Sequence, residues 1–509
     1  MLGIVPSASL LGVDGHPVTV EVHVTQGLPS FTVVGQPDAP CREARDRVRA
    51  ALESSGLQWP MQRITVNLAP PTVRKVGTGL DLPLAVALLV ASKQIPPEGV
   101  AGLAFLGELG LDGTVRSVPG TVCLTEALGD APLVLPEANV DEARVVGERV
   151  LHPVRSLAEV VACARGEEPW SLPARHGELP LPPPLPDLAD VRGQPVARYA
   201  LEVAAAGAHH LLMLGPPGAG KTMLASRLPS LLPPLSPSEA LETTRIHSAG
   251  GFGLPPGGLV RHPPFRAPHH GASSVALIGG GTSLMRPGEI SAAANGVLFL
   301  DEMAEFAPHV LDALRQPLEE GVVRVARASA TVTFPARFLL VAAMNPCPCG
   351  YGSRPGGCRC TESARLRYQR RLSGPLLDRF DLRVQVDRPT AEALFDATPG
   401  EPSAEVAARV VQARDLAIGR GVRANAELPA ARLDEVAPLA EDATRLLLDA
   451  LKVGRLSARG LHRVRRVART IADLGGAPHE LTAQHVAMAL SLRVDGPSAG
   501  GAAGEALAG

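Results

Sequence analysis

The stretch Gly215-Pro216-Pro217-Gly218-Ala219-Gly220-Lys221-Thr222 matches the phosphate-cradling pattern G-x-x-x-x-G-K-[ST] at every fixed position. Its glycines allow backbone conformations that aim successive N–H groups at phosphate oxygens. Lys221 supplies positive charge to the outer phosphates, and the Thr222 hydroxyl suits magnesium. The preceding run His210 to Leu214 reads as a buried parallel strand, and a helix beginning at Lys221 would turn its positive end to the same anion. All eight residues are read as binding ATP with magnesium. A chance glycine-rich turn is the competing reading, and the strand-then-helix setting opposes it.

Hydrolysis needs a metal-orienting acid and a group that activates water. Gly296-Val297-Leu298-Phe299-Leu300-Asp301-Glu302 is an apolar strand ending in two carboxylates. Asp301 is assigned to magnesium through water, and Glu302 to polarising the attacking water. A buried strand with an acidic turn is the plainer alternative; its pairing with the phosphate loop opposes it. A third strand, Phe338 to Met344, ends at Asn345, whose amide could hold the attacking water or the γ-phosphate. Taken alone, Asn345 reads as a strand-end turn residue.

Seven cysteines are present. Cys41, Cys123 and Cys163 are scattered and read as buried or inert thiols, whereas Cys347, Cys349, Cys358 and Cys360 form C-x-C-x8-C-x-C directly after Asn345. Four thiolates this close could bind zinc tetrahedrally, with Gly350, Gly352, Gly356 and Gly357 letting the loop fold around it. The C-x-C spacing is tighter than the usual C-x2-C, so a reduced loop or redox-sensitive thiols stay open beside zinc.

At 509 residues the chain should hold two or three domains. Residues 1–165 read as α+β: Val18, Val20, Val22 and Val24 alternate with Thr19, Glu21 and His23, and Ile64, Val66 and Leu68 repeat the pattern. Helices are expected over Pro40 to Ser55 and Asp81 to Ser92. Residues 166–186 are a proline-rich, semi-rigid linker and mark a domain boundary. Residues 187–390 alternate apolar runs with helical segments, as a parallel α/β sheet requires. Residues 391–494 are helical by pattern, with Leu461, Val464, Val467, Ala468, Ile471 and Leu474 at helical spacing and Ser457 as N-cap. The Gly- and Ala-rich 495–509 reads as a disordered tail. The whole is an α/β multidomain protein.

Composition leaves nucleic acid to local basic patches. Lysine plus arginine is 49 against 51 acids, so there is no global nucleic-acid signature, and 3% aromatic content argues against extensive base stacking. Only four lysines occur, which sets Lys221 apart. No apolar run reaches membrane-spanning length and the first residues lack a signal-peptide pattern, so a cytoplasmic location without membrane partners is expected.

The order of these motifs resembles the AAA+ ATPases of the magnesium-chelatase-like branch. Asp190-Val191-Arg192-Gly193-Gln194 resembles the segment leading to that family's nucleotide pocket, which brings Gln194 to the nucleotide; Asn345 falls at sensor 1. Leu376-Leu377-Asp378-Arg379-Phe380-Asp381 is similar to the arginine-finger segment, and Ser457-Ala458-Arg459-Gly460 to the start of the sensor 2 helix. The resemblance implies that Arg379 reaches a neighbouring subunit's γ-phosphate in a ring and that Arg459 contacts nucleotide from the helical lid. A solvated charge is the alternative for each arginine, and Arg463 and Arg466 share the helix face of Arg459.

The first block resembles the Lon-protease-like domain of the ribosomal S5 domain 2 type, on Lys75-Val76-Gly77-Thr78-Gly79-Leu80-Asp81-Leu82-Pro83 and Leu106 to Arg116. Gly79 falls where that family's serine nucleophile should be, and Val122 or a close neighbour where its lysine should be. The resemblance therefore implies a protease-inactive domain serving assembly or ligand contact. With Pro264-Phe265-Arg266-Ala267-Pro268-His269-His270, the layout resembles the ComM/YifB family over nearly the whole chain. That family implies a hexameric DNA branch-migration helicase in homologous recombination during natural transformation. Its partners would be branched or single-stranded DNA junctions and recombination proteins. A magnesium-chelatase-type remodelling subunit is the second reading, and a non-catalytic nucleotide-binding scaffold a third. From the residues themselves, Gly321 to Thr333 alternates like a hairpin carrying Arg324 and Arg327 for phosphates, and Phe265 to His270 with Gly279, Gly280 and Gly281 reads as a second mobile insertion; the resemblance implies that the hairpin, lying between the Asp301 and Asn345 strands, falls where related motors place a pore hairpin. Solvated or intersubunit roles for these basic residues are equally open.

Overall fold

The computed structural model describes residues 1–174, 184–281, 284–327, 330–352, 358–371, 374–395, 399–476 and 479–493. The tail expected at 495–509 lies outside the described residues, as does the middle of the proline-rich stretch.

The first block is built on a four-stranded sheet in the order Leu2–Leu11, Asp14–Thr25, Arg63–Ala69, Ser30–Val34. Its first pair is an antiparallel hairpin, and its last two strands run parallel through the crossover helix Ala39–Ser54. Val18, Val20, Val22 and Val24 all point inward, as strict alternation demands. The helix Asp81–Ala91 is apolar on every side after Asp81, which pairs with Arg47 at 2.7 Å, and is buried along its whole length; a helix without a polar face belongs inside a core. The block reaches past residue 165, because the Trp170 ring lies 6.3 Å from Phe105 and 5.5 Å from His152.

The second block holds a five-stranded, all-parallel sheet in the order Phe265–Arg266, Val297–Leu300, Leu339–Met344, Leu211–Leu214, Leu382–Gln385. The strand ending at Asn345 therefore lies between the strand that ends at Asp301 and the one that ends at the phosphate loop. Alternate residues of these strands face two different cores. Leu212, Leu298, Leu340 and Ala342 join one that also contains Ala8, Leu10 and Cys123 of the first block. Leu211, Met213, Val297, Phe299 and Val341 join another shared with the C-terminal helices. Both faces are covered, which is why the strands read as unbroken apolar runs.

The first two blocks thus share a core across the proline-rich stretch. The helix Pro237–Gly250 is the dock: Gly120 donates its N–H to the Ser248 carbonyl at 3.1 Å, and Arg245 pairs with Asp14 at 3.2 Å and Glu126 at 3.3 Å. A composition-based boundary reports chain stiffness but not what the flanking surfaces do.

The C-terminal helices Ser403–Gly419, Glu441–Lys452, Ala458–Leu474 and Ala483–Ser491 pack on one another and on Pro195–Gly207. Ser457 accepts the Gly460 N–H at 3.1 Å as an N-cap should. Among the described residues, no helix is long and apolar enough to cross a membrane.

Two expected features take a different form. Phe265–Arg266 is not part of a mobile insertion but an edge strand of the parallel sheet, with Phe265 stacked 5.9 Å from Phe299 and Arg266 paired to Glu289 at 2.7 Å. Val322–Arg327 and Ala330–Pro335 do form an antiparallel hairpin. Its Val323, Val325, Val332 and Phe334 are buried, however, and a Cβ on Gly12 would stand 2.2 Å from the Val332 Cγ1. One hairpin face therefore seats on the first block while Arg324 and Arg327 lie on the exposed one.

Candidate nucleotide site

Strand order brings three chain segments to one edge. The phosphate loop leaves Leu214, whose in-register partner is Met344, and Gly215 donates its N–H to the Met344 carbonyl at 3.2 Å. The loop, Asp301, Glu302 and Asn345 line one cavity of about 400 Å³. Gly218 and Gly220 have φ of +74° and +85°, and no atom lies within 4 Å of where a Cβ would be. These positions need glycine for their backbone angle and leave the loop's N–H groups open to an anion.

Lys221 is buried and donates to the carbonyls of Gly215 at 2.8 Å and Pro216 at 3.0 Å and to Asn345 Oδ1 at 3.2 Å. Burial lowers its pKa below the ordinary lysine range, with Asp301 and Glu302 pulling the other way. Thr222 Oγ1 donates to Asp301 Oδ2 at 2.7 Å, which sets two hard oxygens side by side as magnesium prefers. Asp301 also accepts the Glu302 N–H at 2.9 Å, while Glu302 itself takes a left-handed φ of +49°. That turn separates the two carboxylates, so the donor set fits a magnesium nucleotide with a base beside it. The helix after the loop runs only from Lys221 to Ala225, so loop N–H groups and Lys221, rather than a long macrodipole, carry the attraction.

Gln194 reaches the loop from behind, its amide donating to the Ala219 carbonyl at 3.3 Å and to that of Asp387. Three contributors were not read from sequence as site residues. His270 Nδ1 stands 3.8 Å from Glu302 Oε2; Arg388 Nε donates to the Pro217 carbonyl at 3.0 Å; and buried Tyr368 hydrogen-bonds the Asn345 backbone. A pair of histidines shortly after an edge strand was the available signal for the first, and neither of the others had one.

Arg379 and Arg459 lie elsewhere. Arg379 pairs with Glu319, and burial, followed by the charges of Arg459, Arg463 and Arg315, pushes its guanidinium below the usual arginine range. Two residues on, the Asp381 N–H donates to the His210 carbonyl at 3.0 Å, at the start of the strand whose far end carries the phosphate loop. Arg459 is exposed near the start of the helix Ala458–Leu474, and its charge acts on Arg379. Arg463 and Arg466 are engaged structurally, at 3.7 Å from Asp381 and 2.8 Å from the Leu428 carbonyl. A larger cavity of about 510 Å³ opens at this end, lined by His210, Glu319, Arg337 and Arg423 among others, without any phosphate-loop geometry.

Cys347, Cys349, Cys358 and Cys360 bring their sulfurs within 4.8 Å of one another. The separations Cys347 to Cys349, Cys349 to Cys358 and Cys347 to Cys358 are 3.3, 3.5 and 3.7 Å. Sulfurs at Zn–S distances of about 2.3 Å in a tetrahedron stand roughly 3.7 Å apart, so the donor set fits zinc. Cys41, Cys123 and Cys163 are buried single thiols, and burial pushes the Cys123 thiol up to about 11.

Comparison with known proteins gives a consistent pattern. The family described as magnesium chelatase, subunit ChlI, matches residues 187–394; subunit ChlI of Mg-chelatase matches 20–139, and its C-terminal family 400–493. Competence protein ComM of Haemophilus influenzae is 42% identical over 508 residues, covering 97% of each chain. The uncharacterised YifB of Escherichia coli is 43% identical over 509 residues with the same coverage. An uncharacterised protein of Mycobacterium tuberculosis is 46% identical over 502 residues, 97% of this chain and 99% of its own.

Proposed function

This chain belongs to the ComM/YifB family of magnesium-chelatase-like proteins, and we propose that it is an AAA+ ATPase that assembles as a hexameric ring and drives branch migration of DNA. The observation that carries the ATPase reading is the convergence of Lys221, Thr222, Asp301, Glu302 and Asn345 on one cavity. ATP supplies the anhydride to be broken. In this reading the N–H groups of the loop Gly215 to Gly220 and the Lys221 ammonium bind the phosphates, Thr222 and Asp301 hold magnesium, and Glu302 draws a proton from the attacking water. Asn345 fixes Lys221 and the water side of the site.

The position of the arginines supports the ring. Arg379 and Arg459 stand with Arg463 and Arg315 at the strand end remote from their own loop, so stabilising a transition-state phosphoryl requires them to come from a neighbouring copy. Residues 1–165 are proposed as the protease-inactive Lon-like domain, 187–390 as the ATPase core and 391–494 as its lid. Cys347, Cys349, Cys358 and Cys360 hold structural zinc.

DNA comes from family resemblance and from the competence protein among the relatives; Arg324 and Arg327 on the exposed hairpin face are its proposed phosphate contacts. The action is assigned to the cytoplasm, on branched or single-stranded junctions with recombination proteins as partners. The test is ATP turnover by the full chain with and without branched DNA, together with migration of a synthetic Holliday junction. Stimulation and migration are expected. ATP turnover indifferent to DNA would instead favour the chelatase-type remodelling subunit, the reading that the family descriptions support.

A further inference from the structure

The cysteine cluster and the phosphate loop touch. Cys347 follows Asn345 by two residues, and Asn345 holds Lys221. Gly350, within the first C-x-C turn, packs directly on the loop: a Cβ there would lie 2.4 Å from Pro217 Cδ and 2.6 Å from Pro217 Cγ. The turn is closed by the Gly350 N–H on the Cys347 carbonyl at 2.9 Å, and the Gly352 N–H points at Cys347 Sγ at 3.2 Å. From the other side, Arg388 donates to the Pro217 carbonyl at 3.0 Å while its guanidinium lies 5.8 Å over the Tyr351 ring. Arg365 hydrogen-bonds Cys358 and would offset the negative charge of a four-thiolate zinc complex. Pro217 is thus clamped between the cysteine turn and Arg388, and Asn345 is tethered to the first ligand.

We infer that zinc bound by Cys347, Cys349, Cys358 and Cys360 is a buttress of the nucleotide site, fixing the C-x-C turn against Pro217 and Asn345 so that the phosphate loop and Lys221 are held ready for ATP. This rests on reading the loop as the ATP site and the cysteines as a zinc site. Its physical basis is that the loop's glycines make it soft, so its shape must come from what it leans on. A misplacement of about 1 Å at such a site costs up to about 100-fold in activity, and disturbing supporting contacts of a metal centre costs on the order of 10- to 100-fold.

The experiment uses the full-length protein. Elemental analysis should find about one zinc per chain. Binding of a fluorescent ATP analogue should weaken on the order of 10- to 100-fold in Cys358→Ser and after removal of zinc by a zinc-selective chelator, and return when zinc is added back. Gly350→Ala keeps every ligand but drives a methyl into Pro217 at a position with φ of +83°. It should retain zinc and still lose affinity. Iron or no metal in the wild type overturns the inference, as does wild-type affinity in either Gly350→Ala or the zinc-depleted chain. A wild type that carries zinc but binds no ATP removes the ATPase reading first, and that result is read on the unmodified protein.

Discussion

Lys221 Nζ donates to Asn345 Oδ1 at 3.2 Å, joining the phosphate loop to the end of the neighbouring strand. The bond exists because Leu211–Leu214 and Leu339–Met344 are adjacent and in register, with Leu214 opposite Met344. Burial among backbone carbonyls and one amide oxygen lowers the Lys221 pKa, and the nearby Asp301 and Glu302 oppose that shift. Two short sequence signals 124 positions apart are therefore one device.

Replacing Lys221 with Ala removes the principal charge on the outer phosphates. Loss of a charged hydrogen-bond partner of this kind is worth about 2 kcal/mol, or roughly thirtyfold in affinity. Titration with a fluorescent ATP analogue measures it. Unchanged affinity would show that the nucleotide is held elsewhere.

Glu302→Gln keeps the size and the left-handed turn of the residue but removes the base. ATP should bind as in the wild type while turnover falls by about 10² to 10⁴-fold. Parallel equilibrium binding and phosphate release separate the two effects, and turnover near the wild-type level would reassign the base. His270, 3.8 Å from the same carboxylate, is the nearest candidate to inherit the role.

Local patterns were legible in the sequence and long-range juxtapositions were not. The loop, the Asp301 strand and the Asn345 strand each announce themselves within eight residues, because glycine spacing and apolar runs are local consequences of phosphate binding and of double-sided burial. Arg388 meets Pro217 across 171 positions, and His270 meets Glu302 only because Phe265–Arg266 joins the sheet beside Val297–Leu300. A two-residue strand leaves no periodicity to detect. The docking of Gly12 on Val332 was equally hidden, since a proline-rich stretch predicts stiffness and says nothing about the surfaces on either side.

His210 gives a pH signature. Its Nδ1 accepts the Leu340 N–H at 3.1 Å, which requires the neutral ring. Burial lowers its pKa to about 4, with Arg463, His209 and Arg379 adding to burial and Asp381 opposing it. Below its ordinary value near 6.5 the unfolded chain binds a proton that the folded chain does not. This group's contribution to stability is therefore full above that value and is lost as pH falls toward about 4, by at most about 3 kcal/mol. Denaturant unfolding from pH 7 to 4 should show a shallower decline in His210→Asn than in the wild type. Equal slopes would mean that other groups carry the acid sensitivity.

The arginine cluster predicts complementation between damaged subunits. Arg379→Ala should bind ATP normally and lose about 10³-fold in turnover, as removal of a transition-state arginine does. Mixed in equal amounts with Glu302→Gln, it should regain activity. An interface in which the first variant supplies Glu302 and the second supplies Arg379 is intact, and random head-to-tail mixing makes about a quarter of interfaces of that kind. Arg459→Ala should be rescued by the same partner, because the Arg459 charge acts on Arg379 and Arg459 is not among the residues lining the phosphate-loop cavity. Were Arg459 to act within its own chain, the Arg459→Ala subunit would carry both a defective site and a sound finger, and Glu302→Gln could not restore it. Rescue of Arg379→Ala without rescue of Arg459→Ala would thus separate the two arginines and place only the first across the subunit boundary.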